Sequence, residues 1–424
     1  MTARSLADWL GYIERQHPSA IALGLDRVSA VRARLGVEFG CPVIIVGGTN
    51  GKGSTCAMLA SILGSAGYRV GLYTSPHLMR YNERVQLCGR DADDATLSDA
   101  FSAVEAARGH VPLTYFEYGT LAAGWLFARE RLDAVVLEVG LGGRLDAVNV
   151  FDADCAVLTS VAIDHVDYLG DSREAIGREK AGIFRGAAPA VVAEPEPPSS
   201  VLDEARRIGA RLLRIGREFG YSNEESQWSF WGPGGKRHGL AHPALRGSVQ
   251  LRNAAAALAA LDALKERLPL ATQDVRRGLA AVRLPGRFQV LPGRPQIALD
   301  VAHNPQAAAI LAQNLAASGY ARECIGVFGM LRDKDIAGVV RAVAPQITRW
   351  RVAGLAGPRG APAGELARIV GDSAVAAPVF VHEHVADALA AARGEAGEND
   401  KIVVFGSFFT VAEAIAQLEP RHHG

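Results

Sequence analysis

The stretch Val43-Ile44-Ile45-Val46-Gly47-Gly48-Thr49-Asn50-Gly51-Lys52-Gly53-Ser54 decides how this chain folds. Its four consecutive β-branched residues spell a strand buried on both faces, and the glycines behind them spell a turn. From Ser54 onward, Cys56, Leu59, Ala60 and Leu63 recur at helical spacing up to Gly67. A strand, a glycine-rich turn and a helix start together present backbone N–H groups and a positive dipole end to an anion. Lys52 adds a full charge for a phosphate, and Ser54 or Thr55 a hydroxyl for Mg²⁺. The strict pattern Gly-x-x-x-x-Gly-Lys-Ser/Thr fails, because Val46 stands at the first glycine position and Gly53 follows the lysine. A plain glycine turn with a snorkelling lysine is the competing reading; the order of the flanking elements favours the phosphate loop.

Outward from this strand, short apolar runs recur at Ala134-Val135-Val136-Leu137, Ala156-Val157-Leu158 and Ala190-Val191-Val192, separated by segments of helical period. That alternation predicts an N-terminal, P-loop-type, doubly wound and mainly parallel sheet. A second series, Ile297-Ala298-Leu299, Ile325-Gly326-Val327-Phe328, Trp350-Arg351-Val352, Val379-Phe380-Val381 and Ile402-Val403-Val404-Phe405, predicts a smaller C-terminal Rossmann-like α/β domain. The Pro/Gly-dense stretch Leu284 to Pro295 reads as a hinge, which places the domains at 1–291 and 292–424. Tyr221 to Pro243, rich in Gly, Ser and aromatics, reads as a small antiparallel excursion without chemistry.

The composition, 49% apolar and 21% charged over 424 residues, is that of a globular protein. No apolar stretch approaches the ~20 residues of a membrane span, and polar residues interrupt the first ten positions, so we expect a cytoplasmic protein without membrane contact. Forty-five basic and 45 acidic residues cancel, which leaves no global field for nucleic acid. Cys41, Cys56, Cys88, Cys155 and Cys324 are too widely spaced for a disulfide framework or a thiolate metal site.

Gly48-Thr49-Asn50-Gly51-Lys52-Gly53-Ser54 resembles the nucleotide loop of the Mur-ligase superfamily, and specifically of folylpolyglutamate synthases and dihydrofolate synthases. The likeness continues through Tyr73-Thr74-Ser75-Pro76-His77-Leu78, Leu137 to Ala147, Asp164-His165, Gly177 to Ile183, Arg252-Asn253-Ala254-Ala255, Leu284-Pro285-Gly286-Arg287 and Asp300-Val301-Ala302-His303-Asn304-Pro305. The motifs are specific in combination.

The resemblance implies an ATP-dependent ligase that activates a carboxylate as an acyl phosphate and joins it to L-glutamate. The acceptor it implies is dihydropteroate or a reduced folate, and the N-terminal context Trp9 to Leu35 looks like that of bacterial members acting on both. By the same resemblance Thr49, Asn50, Gly51, Lys52, Gly53, Ser54, Asn253, Arg287 and Asp300 contact ATP. Ser54, Ser75, Glu138 and His165 hold Mg²⁺, with two sites in all. The positions also suit the physics, since residues beyond the carboxyl ends of strands line the crevice of a doubly wound sheet. Lys180 reads by itself as a surface lysine. The family's matching lysine carries a carbamate, which requires an unprotonated amine and therefore burial. Tyr115 and Phe116 read as core by composition. In relatives Thr114, Tyr115, Phe116 and Glu117, placed just before a helix, and Leu145, Asp146 and Ala147 touch the pterin. Lys52, Lys180, Asp300 and His303 are the catalytic set the resemblance implies, His303 facing the incoming glutamate, with the active site between the domains of a monomer.

Two rivals remain at this level. A peptidoglycan-precursor ligase shares the loop and the two-domain plan, but only ~45 residues precede the loop here, too few for its usual extra domain. A non-catalytic nucleotide switch has no evident need for Glu138, His165 and Lys180 beside the loop.

Overall fold

The computed structural model describes residues 4–19, 21–373 and 377–418. The chain divides into two compact units, one of residues 1–244 with 251–282, the other of 245–250 with 283–424.

The first unit is built on an eight-stranded sheet of order β4-β3-β2-β5-β1-β6-β7-β8. Its strands are β1 (Val43–Gly47), β2 (Val70–Tyr73), β3 (Val85–Leu87), β4 (Arg90–Asp91), β5 (Ala134–Glu138), β6 (Cys155–Leu158), β7 (Pro189–Val192) and β8 (Arg211–Arg214). From β2 to β8 every pairing is parallel, while β3 and β4 extend the edge antiparallel. β1 lies centrally between β5 and β6, every residue buried, as its unbroken β-branched run predicts. The chain leaves β1 toward β2 on one side and returns at β6 on the other. The ends of β1, β5 and β6 therefore flank the switch point where such sheets bind ligands. The core packs Tyr73, Phe101, Tyr118, Phe127 and Phe151, all fully buried.

The excursion is the three-stranded antiparallel sheet β9 (Gly220–Asn223), β10 (Trp228–Gly232) and β11 (Gly235–Leu240). It buries Trp228 and Phe230 and is tied to the helix Gln250–Ala263 by an Arg237–Asp262 ion pair of 2.6 Å.

The second unit holds six strands in the order β12-β13-β17-β14-β15-β16, where β12 is Gln289–Leu291, β13 Gln296–Asp300, β14 Cys324–Phe328, β15 Arg349–Ala353, β16 Val379–His382 and β17 Lys401–Phe405. All pair in parallel except β12 with β13. Phe328, Trp350 and Phe405 stack at its centre with ring centroids 5.0 to 5.9 Å apart. The division at Val282/Arg283 precedes the 291/292 boundary expected from the Pro/Gly stretch, because β12 pairs across that point with β13. Residues 245–250 also join this unit, where Ser248 N–H donates to Asn314 Oδ1 at 3.0 Å. Among the described residues no helix is long and apolar enough to cross a membrane.

Candidate active site

Past β1 the chain turns through Gly48 at φ 143° and Gly51 at φ 92°, backbone that L side chains rarely adopt. Gly51 opens the helix Lys52–Ser65. The loop is lashed to the segment after β6. Thr49 N–H donates to the Ser160 carbonyl at 2.8 Å, Asn50 N–H to Ser160 Oγ at 2.9 Å, and Thr49 Oγ1 to the Ala162 carbonyl at 3.1 Å. Lys52 Nζ curls over the loop, donating to the carbonyls of Gly48 at 3.0 Å and Thr49 at 3.1 Å. Thr55 Oγ1 is spent on the Gly51 carbonyl at 3.0 Å, so Ser54 is the helix-start hydroxyl left for a ligand. Asn253, on the helix Gln250–Ala263, is buried against Gly51.

Glu138 is the last residue of β5, in register with Val46, and Ser75 N–H donates to its Oε2 at 3.0 Å. His165 stands on the other side of β1, past the end of β6, at the start of the helix Val166–Leu169 with φ 53°. Among the described residues no three His, Cys, Asp or Glu converge into a metal cage. A buried carboxylate, hydroxyls and one imidazole fit a hard cation that keeps waters and phosphate oxygens as its remaining ligands.

Lys180, on the helix Arg173–Ala181, is 4% exposed rather than on the surface. Burial first, and then the charge of Lys52, lower its pKa from 10.5 to about 7, against the pull of Asp164 and Asp146. A neutral amine is thus within reach near neutral pH. The glycine loop after β5 packs directly on this helix. Arg144 N–H donates to the Glu179 carbonyl at 2.7 Å, and a β-carbon on Gly143 would come 2.8 Å from the carbonyls of Glu179 and Lys180. Asp146 closes that loop, accepting Leu141 N–H at 2.8 Å and Val148 N–H at 3.0 Å, and its burial raises its pKa to about 7. Leu145 and Ala147 flank it, and the Leu145 carbonyl accepts Gly24 N–H at 3.2 Å.

Thr114 to Glu117 do not precede a helix; they are its cap and first turn, Tyr115–Arg129. Thr114 Oγ1 accepts Glu117 N–H at 3.2 Å and Glu117 Oε2 accepts Thr114 N–H at 2.7 Å, a reciprocal capping box. Glu117 is also clamped by Arg27, with Nε 3.1 Å and Nη2 2.8 Å from Oε1. Tyr115 and Phe116 stay half-buried. Tyr115 meets Tyr81 edge-on at 5.9 Å, Arg84 lies over both rings, and Phe116 covers Gly140, where a β-carbon would come 2.6 Å from its ring. Arg84 Nε donates to His77 Nδ1 at 2.8 Å, and burial, then the Arg84 charge, hold that imidazole down to about 4. Gly24, Arg27 and Arg84 lie against the expected pterin segments and His77 against Arg84, none of them singled out by the sequence as a site member. The Gly24-Leu25-Asp26-Arg27 helix start was a usable signal for the first two; Arg84 gave none.

In the second unit Asp300 ends β13 and holds two backbone groups, Phe288 N–H and Ala302 N–H, both at 2.8 Å. Burial raises its pKa to about 6, with the Arg287 charge opposing. Arg287 lies 4.9 Å over the Phe408 ring, and His303 Nδ1 is 2.8 Å from the Val301 carbonyl with its ring 6.1 Å from the same phenylalanine. Asn304 and Pro305 then start the helix Pro305–Ala317.

A phosphate loop at the switch point of a parallel sheet, a buried low-pKa lysine beside it and a second α/β unit define a Mur-type ATP-dependent, amide-forming ligase. Residues 46–261 match the Mur ligase middle domain and residues 286–408 the Mur ligase glutamate ligase domain. The chain is 48% identical over 423 residues to the dihydrofolate synthase/folylpolyglutamate synthase of Escherichia coli K12, covering 100% of this chain and 97% of that protein. Its fold matches an E. coli structure in complex with DHPP and ADP at a TM-score of 0.94 and 47% identity, covering 98% of each chain. A bifunctional folylpolyglutamate synthase/dihydrofolate synthase with Mn, AMPPNP and L-glutamate bound matches at a TM-score of 0.90 and 46% identity, again over 98% of each chain. The chain belongs to the dihydrofolate synthase/folylpolyglutamate synthase family.

Proposed function

We propose that this protein joins L-glutamate to dihydropteroate, giving dihydrofolate, and to the γ-carboxyl of reduced folates, giving polyglutamates. The substrate carboxylate attacks the γ-phosphorus of ATP, ADP leaves, and an acyl phosphate remains. The amino group of L-glutamate then attacks the acyl carbon, loses a proton, and phosphate departs as the amide forms.

The backbone N–H groups of residues 49–54 and Lys52 grip the phosphates, Lys52 exchanging a loop carbonyl for a phosphate oxygen. Asn253, Arg287 and Asp300 hold the rest of the nucleotide. Ser54, Ser75, Glu138, His165 and a carbamate on Lys180 would hold Mg²⁺ with ATP at two sites, where it would supply positive charge for the transferring group. Tyr115 and Phe116 give the pterin an aromatic floor, with Asp146 and the backbone of Leu145 and Ala147 beside it. His303 orients the incoming glutamate. The protein works in the cytoplasm as a monomer.

The single observation that carries a ligase over a mere nucleotide binder is the buried Lys180 amine, brought to about pH 7 within the field of Lys52. Incubation with ATP, Mg²⁺, L-glutamate and either dihydropteroate or a reduced folate, followed by mass spectrometry, tests the reading. A product heavier by one glutamyl unit, formed with ADP, supports it; no product with either acceptor overturns it. Lys52→Ala should abolish turnover with the fold intact by circular dichroism.

A further inference from the structure

Residues 159–165, between β6 and the helix Val166–Leu169, form a strap with two clients. At one end it holds the phosphate loop. Besides the bonds to Thr49 and Asn50 N–H, the hydroxyls of Thr159 and Ser160 both donate to the Asn50 carbonyl, at 2.8 and 3.0 Å. At its other end it carries Asp164 and His165. Between them Val161 is gripped through both of its backbone polar groups. Glu194 Oε2 accepts Val161 N–H at 2.9 Å, and Arg173 Nε donates to the Val161 carbonyl at 3.0 Å.

Glu194 and Arg173 also face one another, Nη2 3.5 Å from Oε1. Glu194 stands just past β7 and is 8% exposed; Arg173 opens the helix that carries Lys180 and donates to the Glu196 carbonyl at 2.9 Å. One ion pair thus joins the end of β7, the Lys180 helix and the strap. The Val161 side chain is itself buried, so the strap is fixed on its apolar side by packing and on its polar side by this pair. Loss of the carboxylate would leave a buried N–H without its acceptor, which a shift of the strap relieves, moving the phosphate loop and His165 together.

We propose that Glu194, acting through Val161 and Arg173, is a positioning residue that sets the spacing between the phosphate loop and His165 for ATP and its metal. Its carboxylate is engaged by Val161 N–H and Arg173, so it acts through them rather than as a ligand. The proposal rests on reading the loop and His165 as nucleotide and metal groups.

Mn²⁺ titrated into the full-length protein with a non-hydrolysable ATP analogue, followed by electron paramagnetic resonance, reads metal and nucleotide binding without turnover. Glu194→Ala should weaken Mn²⁺ binding by about 10-fold or more, as removal of the groups that orient metal ligands commonly does. It should raise KM for ATP more than it lowers kcat. Glu194→Gln, which keeps an oxygen for Val161 N–H, should recover part of both, and Arg173→Lys should fall between. Wild-type Mn²⁺ affinity and KM in Glu194→Ala, whatever its melting temperature, would overturn the proposal. If that variant does not fold, unchanged Mn²⁺ binding in both Glu194→Gln and Arg173→Lys overturns it equally. A wild-type chain that binds Mn²⁺ with the analogue yet transfers no glutamate to a folate would sink the substrate assignment alone, while one that binds no Mn²⁺ sinks both.

Discussion

Asn253 Oδ1 stands 2.7 Å from the point that a β-carbon on Gly51 would occupy, and Gly51 holds φ 92°. The helix bearing Asn253 therefore closes down on the phosphate loop so tightly that only glycine fits. Gly51→Ala meets both the strain of a left-handed backbone, about 1–3 kcal/mol, and the clash with the amide. Both costs fall at the loop, so circular dichroism should show an intact fold while KM for ATP rises by about 10-fold, each tenfold being ~1.4 kcal/mol. A wild-type KM would mean that the loop and Asn253 separate freely.

Lys180 should give the active site a pH limb. Its pKa near 7, depressed from 10.5, leaves the ammonium dominant as pH falls through 7, and only the neutral amine takes up CO₂. Activity should drop across that range and depend on bicarbonate at fixed pH. Lys180→Arg, whose guanidinium does not deprotonate, should lose on the order of 100-fold in kcat. Carbon-13 NMR with labelled bicarbonate should show a carbamate carbon in the wild type and none in the variant; its absence from active wild-type protein would refute the modification.

Asp146 ties stability to pH. Its pKa rises from 3.8 unfolded to about 7 folded, so between those values the folded chain holds a proton that the unfolded chain releases. Its stabilising share is present below the unfolded value and is lost as pH rises through 7. Asp300, raised to about 6, adds to the same trend. Asp146→Asn should therefore lose less stability than the wild type on going from about pH 5 to about pH 7, measured by urea unfolding at each pH. Parallel curves for the two proteins would remove Asp146 as the source.

The fold was legible wherever burial on both faces forced unbroken apolar runs. β1, β5, β6 and β7, with β13, β14 and β17 of the second sheet, coincide with them, while the expected β15 has Arg351 inside its run and the expected edge strand β16 leaves Phe380 and Val381 exposed. Strands without an unbroken apolar run escaped: β8 reads Arg211-Leu212-Leu213-Arg214, and β12 lies inside the Pro/Gly stretch that reads as a hinge. The site was legible where chemistry needs a rare pattern, as in the loop around Lys52. It was not legible where distant residues meet through ordinary side chains. Nothing local to Arg27 announces a partner at Glu117, nor does Glu194 announce Val161. Lys180 shows the limit most plainly, because its residue type argues for solvent while the close packing of Gly143 against its helix backbone accompanies its burial.

The Arg27–Glu117 clamp separates structural from substrate roles in the Tyr115 segment. Glu117 is 3% exposed and in Arg27→Ala would lose the guanidinium paired with it, keeping the Thr114 N–H bond. Arg27 is 27% exposed, so solvent tempers the loss, and about 1–3 kcal/mol of stability should go, as measured by urea unfolding. Arg27 also donates to the Ala22 carbonyl at 2.7 Å, and Gly24 N–H reaches Leu145, so the same change frees the segment facing the Leu145-Asp146-Ala147 loop. KM for dihydropteroate should then rise by about 10-fold while KM for ATP stays within about twofold, the difference being ~1 kcal/mol. Gly140→Ala offers the control, since its β-carbon displaces the Phe116 ring and leaves the clamp untouched. If the pterin sits on Phe116, that variant too should lose dihydropteroate affinity, with no change in ATP affinity. Equal losses for both substrates in both variants would instead mark the segment as scaffold.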